Sequence, residues 1–383
     1  MKRPKILYIL NVANKINNFS LSSIISAKEM GIDFHIAGNW SYANDIEKKL
    51  DEERYGIRIH QIDFVRAPYN FQNRKAYKKL KELIRTEKYD YIHCNTPVGG
   101  LLGRIVAEKC KVKKVIYQVH GFHFYKGAPK VNWFVYYPIE KWLARKTDAI
   151  ITINTEDYEF AKRKMKLKKG GKVYYVPGVG IQSELFTPNE QIRESKRAEL
   201  GLTDENIMII SSGNLDSNKN FDTAIRALAH TNDANIHLYI CGQGVEMKKL
   251  DALVRELNIK NNVHLLGFRS DMRELLCAAD IFIMPTFREG LSRSIMEGMA
   301  SGLPCVVSKI RGNVDLVENG KGGFLCDPTD AKGFAEAIRI LANDPDLRAN
   351  MRKENLERIK RFDLSVAIKS LKTIYAEVFE DKK

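Results

Sequence analysis

Two doubly wound α/β domains, each a parallel sheet with helices on both faces, are predicted by this 383-residue sequence. Three observations predict them. Short, near-continuous apolar runs alternate with longer helical stretches, as strands buried on both faces require. The alternation breaks once, in a stretch rich in Pro and Gly, and then resumes. The length also exceeds one typical domain and suffices for two sizeable cores.

Taken in order, the first series of predicted strands is Lys5–Leu10, Asp33–Ala37, Arg58–Phe64, Tyr89–Cys94, Val115–Val119 and Ala149–Ile153. Helical periodicity fills the gaps, for example over Tyr77–Arg85 and Val98–Lys109. The break is Tyr174–Pro188, reading YYVPGVGIQSELFTP. The second series is Ile207–Ser211, Ile236–Cys241, Val263–Leu266, Asp280–Met284 and Cys305–Val307, with helices such as Met247–Leu257 and Ala331–Ala342 between them. A final helix, Leu364–Phe379, follows after this alternation has ended. The domains are therefore expected at 1–180 and 181–363, with 364–383 as a closing helix. Ligands of such sheets bind beyond the carboxyl ends of the strands.

Composition narrows the function classes. The six cysteines are scattered with no C-x-x-C pair, which favours buried reduced thiols over a disulfide framework and so a reducing, cytoplasmic setting. The apolar run in MKRPKILYIL is too short for a signal-peptide core. No window approaches the ~20 apolar residues that span a bilayer. Net charge is +15, but residues 1–180 hold 34 Lys and Arg against 17 Asp and Glu, and the remainder is nearly balanced. The first half is thus expected to meet an anionic partner: a membrane surface, nucleic acid or a polyphosphate group.

Four strand ends of the second half carry glycine or small polar residues. They are Ser212-Gly213-Asn214 running to Lys219-Asn220, Gly242-Gln243-Gly244, Gly267-Phe268-Arg269, and the stretch PTFREGLSRSIMEGMASGLP at Pro285–Pro304. The last reads as strand, turn and helix start, an arrangement that presents backbone N–H groups to an anion. Glu289 and Glu297 bracket it as acceptors for sugar hydroxyls, which points to a nucleotide-sugar site. The plainer account is a capping box from Ser294 to Glu297 that binds nothing. Lys219 suits a phosphate as a point charge, or is a solvated surface lysine. The Gly-x-Gly lacks the third glycine of a dinucleotide fingerprint, and there is no P-loop.

These four motifs, in this order and with Pro177-Gly178-Val179-Gly180 as linker, resemble the retaining glycosyltransferases of family 4 across nearly the whole chain. The resemblance implies the GT-B fold: two Rossmann-like domains facing a central cleft, with the C-terminal helix crossing back to the first. It implies a UDP-sugar donor held by the second domain. Glu297 would take the ribose hydroxyls and Glu289 the donor sugar. The amides of Gly290, Leu291 and Ser292 would face sugar and diphosphate, with Lys219 on the diphosphate and Gly242 and Gly244 lining the site. Phe268 and Arg269 would flank the base through their backbone, and His120, after the strand Val115–Val119, would reach the donor sugar. A packed polar residue is the alternative for His120. Two departures are plain. The glycine pair expected after the first strand is replaced by Asn11-Val12-Ala13-Asn14-Lys15, leaving Asn14 or Lys15 to substitute. Asn214 stands where the family commonly has an arginine, which makes Arg288 and Arg293 candidates for the missing charge.

The segment HGFHFYKGAP with NWFVYYPIEKWLARKTDAIITIN resembles a subgroup that builds bacterial capsular, exopolysaccharide or glycan chains on polyprenyl-diphosphate lipids. Lys15, His123, Lys126 and Trp133 are accordingly expected on the acceptor or membrane side. Aromatic residues among lysines suit a headgroup layer; single-stranded nucleic acid and a solvated basic face are the alternatives. The expected function is transfer of a sugar, an N-acetylhexosamine over a hexose, to a lipid-linked saccharide, with retained configuration. The protein would lie peripherally on the inner face of the cell membrane, with no cofactor or metal and no nucleic-acid partner. A nucleotide-sugar epimerase, a soluble glycan synthase, and a basic nucleic-acid-binding protein are the competing readings.

Overall fold

In the computed structural model, which describes residues 3–16, 18–95 and 97–380, the chain forms two compact units. One is Met1–Gly180 with Leu364–Lys383, and the other is Ile181–Asp363.

The first unit is built on seven parallel strands: β1 (Lys5–Val12), β2 (Asp33–Asn39), β3 (Arg58–Gln61), β4 (Tyr91–Asn95), β5 (Lys114–Val119), β6 (Ala149–Thr152) and β7 (Lys172–Tyr175). Their order is β3-β2-β1-β4-β5-β6-β7. The second unit holds β8 (Ile207–Ser212), β9 (Ile236–Cys241), β10 (Val263–Gly267), β11 (Ile281–Met284), β12 (Cys305–Ser308) and β13 (Gly323–Cys326), in the order β10-β9-β8-β11-β12-β13. Both are doubly wound orders. Each reverses direction beside its first strand, between β1 and β4 and between β8 and β11, and the crevice for a ligand lies at that reversal.

The strands are fully buried where both faces are covered. Ile6 to Ile9 of β1 and Ile281 to Met284 of β11 have no exposed surface, which is why these segments read as unbroken apolar runs. The helix Leu364–Phe379 belongs to the first unit. Its Ala367, Leu371, Ile374 and Tyr375 share a core with Ile6, Tyr8 and Phe34, and Tyr375 Oη lies 2.7 Å from His93 Nδ1.

Two strands escape the sequence pattern. β7 and β13 are four residues each and lie at sheet edges, too short to show a period of their own. β7 falls partly inside the Pro- and Gly-rich break, whose composition masks it.

Candidate functional site

At the reversal point of the second sheet, the loop after β8 and the loop after β11 are laced together. Asn220 adopts a left-handed conformation (φ 56°) ahead of the helix Phe221–Thr231, which asparagine tolerates better than most residues. Its Nδ2 donates to the carbonyls of Pro285 at 2.8 Å and Pro328 at 2.7 Å. Thr286 Oγ1 and the Phe287 N–H both donate to the Asn218 carbonyl, and Asn218 Nδ2 donates to the Arg288 carbonyl at 3.0 Å. Held by these bonds, Lys219 Nζ sits 2.6 Å from Glu289 Oε1, both side chains largely buried.

The helix Arg293–Ala300 begins directly beyond Glu289. Its N-cap is Ser292, whose side chain makes no capping bond, so the first-turn N–H groups are left for solvent or a ligand. The capping box anticipated from Ser294 to Glu297 is not formed. The helix starts two residues earlier than that box requires, and Glu297 Oε1 instead accepts from Arg293 Nε at 2.8 Å. Burial raises the pKa of Glu297, and the Arg293 guanidinium partly opposes the shift. Gly290 and Leu291 are half-buried in the turn.

The Glu289 turn is backed by an arginine that the pattern did not single out. Asn214 is exposed, as are Arg288 and Arg293, and Arg293 is engaged with Glu297. Arg311, in the loop after β12, is 7% exposed, and its Nε donates to the backbone carbonyl of Glu289 at 3.2 Å. The following Gly312 (φ 80°) has no room for a Cβ against the Gly290 carbonyl. A lone Arg-Gly after a strand carries no motif, so only the fold reveals that this loop backs the Glu289 turn.

The remaining donor-side residues line the same edge. A Cβ at Gly242 would strike the Gly213 carbonyl, and one at Gly244 the Leu215 carbonyl; both glycines let the loops after β8 and β9 touch. Phe268 is 73% exposed. Arg269 turns its guanidinium onto Asp271 (Nε–Oδ1 2.8 Å), which leaves its backbone as the part directed along the edge. Asp344-Pro345-Asp346 is an Asp-x-Asp by spacing, but Asp344 is a helix cap, its Oδ1 accepting from the Leu347 N–H at 2.8 Å.

In the first unit, His120 follows β5 and contacts Asn95 at the end of β4, Nε2 to Oδ1 2.9 Å. Asn95 Oδ1 also lies 3.1 Å from the Tyr8 hydroxyl. His120 Nδ1 is buried with no hydrogen-bond partner. Burial lowers the His120 pKa to about 4, so the ring is neutral at pH 7. Lys15 and Asn14 are exposed in the bend after β1, and Asn14 lines a cavity of about 780 Å3 with Asn39, Tyr42 and Arg66.

The aromatic-basic segment forms the helix Lys130–Ala144, which runs through Pro138 without ending there. Trp133, expected on the acceptor or membrane side, is half-buried. It packs against Phe124, Tyr137 and Phe160 at ring separations of 5.5–5.9 Å. The exposed residues are Val131, Phe134, Val135, Ile139 and Trp142, spaced at helical intervals on one face. Lys126, Lys130, Lys141 and Arg145 are exposed around them. His123 stacks its ring against Tyr136, 4.6 Å between centroids. No helix among the described residues is long and apolar enough to cross a membrane.

With this geometry in place, comparison with known proteins is informative. Residues 192–358 match the family model "Glycosyl transferases group 1", and residues 5–154 match "Glycosyl transferase 4-like". The chain is 33% identical to EpsD of Bacillus subtilis (strain 168) over 377 residues, 97% of this chain and 96% of the relative. It is 30% identical over 313 residues to the UDP-Gal:alpha-D-GlcNAc-diphosphoundecaprenol alpha-1,3-galactosyltransferase of Escherichia coli, 80% of each chain. The crystal structure of Anabaena HepE in complex with UDP and glucose superposes with a TM-score of 0.79 at 22% identity, over 98% of this chain and all of the other.

Proposed function

The chain belongs to the group 1, family-4-like glycosyltransferases with the GT-B fold, and from that premise we propose that it moves a sugar from a UDP-sugar to a saccharide carried on a polyprenyl diphosphate, with retention of configuration. The observation that carries the reading is the Lys219–Glu289 pair at the reversal point of the second sheet, beside a helix start with no side-chain cap. A cation and open amides suit a departing diphosphate, and a carboxylate in the same turn suits the hydroxyls of the sugar it leaves.

The roles follow from the chemistry. The amides of Gly290, Leu291 and Ser292 and the ammonium of Lys219 take the diphosphate, with Arg311 adding charge from behind the turn. Glu289 accepts from the donor sugar and Glu297 from the ribose. Gly242, Gly244 and the backbone at Phe268–Arg269 form the edge that receives the base. In the first unit, neutral His120, whose Nε2–H is directed to Asn95 Oδ1, accepts through Nδ1 from a hydroxyl of the donor sugar. The acceptor hydroxyl oxygen bonds to the anomeric carbon while the bond from that carbon to the β-phosphate oxygen breaks. The hydroxyl proton ends on the departing diphosphate.

The E. coli relative's name pairs a UDP-sugar donor with a lipid diphosphate acceptor, which supports the same pairing here. The exposed apolar face of Lys130–Ala144, ringed by lysines, supports peripheral contact with an anionic membrane, each basic residue adding about 1 kcal/mol near such a leaflet. The test is incubation with UDP-GlcNAc, UDP-GalNAc, UDP-glucose and UDP-galactose in turn, with polyprenyl-diphosphate N-acetylhexosamine as acceptor. One of the N-acetylhexosamine donors is expected to yield a lipid-soluble product whose new linkage is α. No product with any donor would sink the reading, and a β linkage would sink retention.

A further inference from the structure

The helix Lys130–Ala144 has an inner face as informative as its outer one. Tyr136 and Glu140, one turn apart, line a cavity of about 160 Å3 together with Tyr117, His120 and His123. That is room for the hydroxylated part of one sugar. The cavity lies wholly within the first unit, against the strand end that carries His120.

Its polar wall is a carboxylate held in place from behind. Glu140 Oε2 is 2.8 Å from Arg104 Nη2, and Oε1 is 3.2 Å from the Tyr117 hydroxyl. Arg104 is completely buried, donates through Nε to the Gly100 carbonyl at 2.8 Å, and stacks over the Tyr117 ring at 3.7 Å. A carboxylate offers about four acceptor positions, and the two contacts to Glu140, with that of Arg104 Nη2 to Oε1 at 3.0 Å, leave capacity for one more donor. His120 Nδ1, in the same cavity wall, is a buried nitrogen with no partner. Glu140 is half-buried with an acceptor position to spare, and the buried His120 Nδ1 beside it is costly unless something donates to it.

We propose that this cavity is the acceptor-sugar subsite, in which Glu140 accepts a hydrogen bond from a hydroxyl of the acceptor saccharide, with His123 and Tyr136 closing over the ring. The proposal rests on the glycosyl-transfer reading above and deepens it. It also gives the helix a two-sided logic: one face meets the lipid layer while the opposite face receives the sugar that the lipid carries.

The experiment measures direct binding, so it does not depend on turnover. Calorimetric titration with farnesyl-diphosphate-linked N-acetylglucosamine is compared for the wild type, Glu140→Gln and His123→Phe, with UDP titrated separately. Glu140→Gln preserves volume and can still accept from Arg104. The expected result is at least tenfold weaker binding of the lipid-linked sugar in both variants, with UDP affinity within twofold of the wild type. Unchanged affinity for the lipid-linked sugar in both folded variants overturns the subsite, as does failure of the wild type to bind this probe. If Glu140→Gln does not fold, His123→Phe decides by the same criterion. Loss of UDP binding in the wild type would count against the donor reading alone.

Discussion

Lys219 Nζ and Glu289 Oε1 stand 2.6 Å apart across the loops that follow β8 and β11, seventy residues distant in sequence. Without a donor, each neutralises the other. On the proposed reading, a bound UDP-sugar would offer each a different partner, diphosphate for the lysine and hydroxyls for the carboxylate. Lys219→Ala and Glu289→Gln are each expected to lower kcat by about 10²–10³-fold, the range for losing one group that stabilises developing charge. The double variant should lose less than the product of the two, because the groups act together. Initial-rate measurements decide it, and full activity in both single variants would make the loop scaffold.

In the proposed reading Glu297 accepts from the ribose hydroxyls, and it does so most strongly when ionised. Its pKa is raised by burial, so its ionised form is lost at a higher pH than for an ordinary glutamate as the solution is acidified. UDP affinity in the wild type should therefore weaken on acidification with an inflection above the usual carboxylate range, and Glu297→Gln should abolish that inflection. The raised value also means that Glu297 favours the native state below its unfolded pKa, and this contribution fades as pH rises through the folded one. Titration of UDP affinity against pH in both proteins is the measurement.

Buried imidazoles set the acid limit of the first unit. Burial holds His120 at about 4, His93 at about 3 and His35 at about 4. The unfolded chain takes up protons near 6.5, before the native state does, so stability is full above that pH and falls as pH drops through the window toward 4. Each imidazole is expected to remove about 2 kcal/mol by pH 5. Chemical denaturation at pH 7.5 and pH 5 tests this, and His93→Gln should flatten the dependence. Equal stability at both pH values would contradict it.

Exposed apolar residues and core-packed ones separate on the helix Lys130–Ala144. Phe134→Glu and Trp142→Glu change exposed residues. Each is expected to reduce partition onto vesicles containing phosphatidylglycerol by about tenfold or more, since burying one large apolar side chain is worth about 1.5–3 kcal/mol. UDP affinity should not move. Trp133→Ala, by contrast, removes a member of the Phe124–Tyr137–Phe160 cluster and should cost about 3 kcal/mol of stability. Flotation unchanged by both Glu substitutions would eliminate this face as the anchor.

Much of the architecture is legible in the sequence for a simple reason. A parallel strand covered on both faces must be apolar throughout, as Ile281–Met284 is, and a helix between strands must carry a period near 3.6. The glycine-bearing strand ends are equally legible, because where backbones touch, as Gly242 does against Gly213, no Cβ fits. Such constraints are local and leave a local trace. The edge strands β7 and β13 leave almost none, being short and stabilised mainly by the neighbour they pair with.

What the tertiary structure alone decided depends on residues far apart in the chain. Arg311 backs the Glu289 turn because β12 lies beside β11, not because of any pattern around it. Glu140 meets Arg104 and Tyr117 because a helix, a strand and a second helix converge. The aromatic segment around Trp133 shows in sequence only that rings and lysines alternate. Which ring points inward is set by the aromatic cluster it packs against, so Trp133 is half-buried and Phe134 is exposed. Periodicity names the elements; the direction a single side chain takes is set by what the fold brings against it.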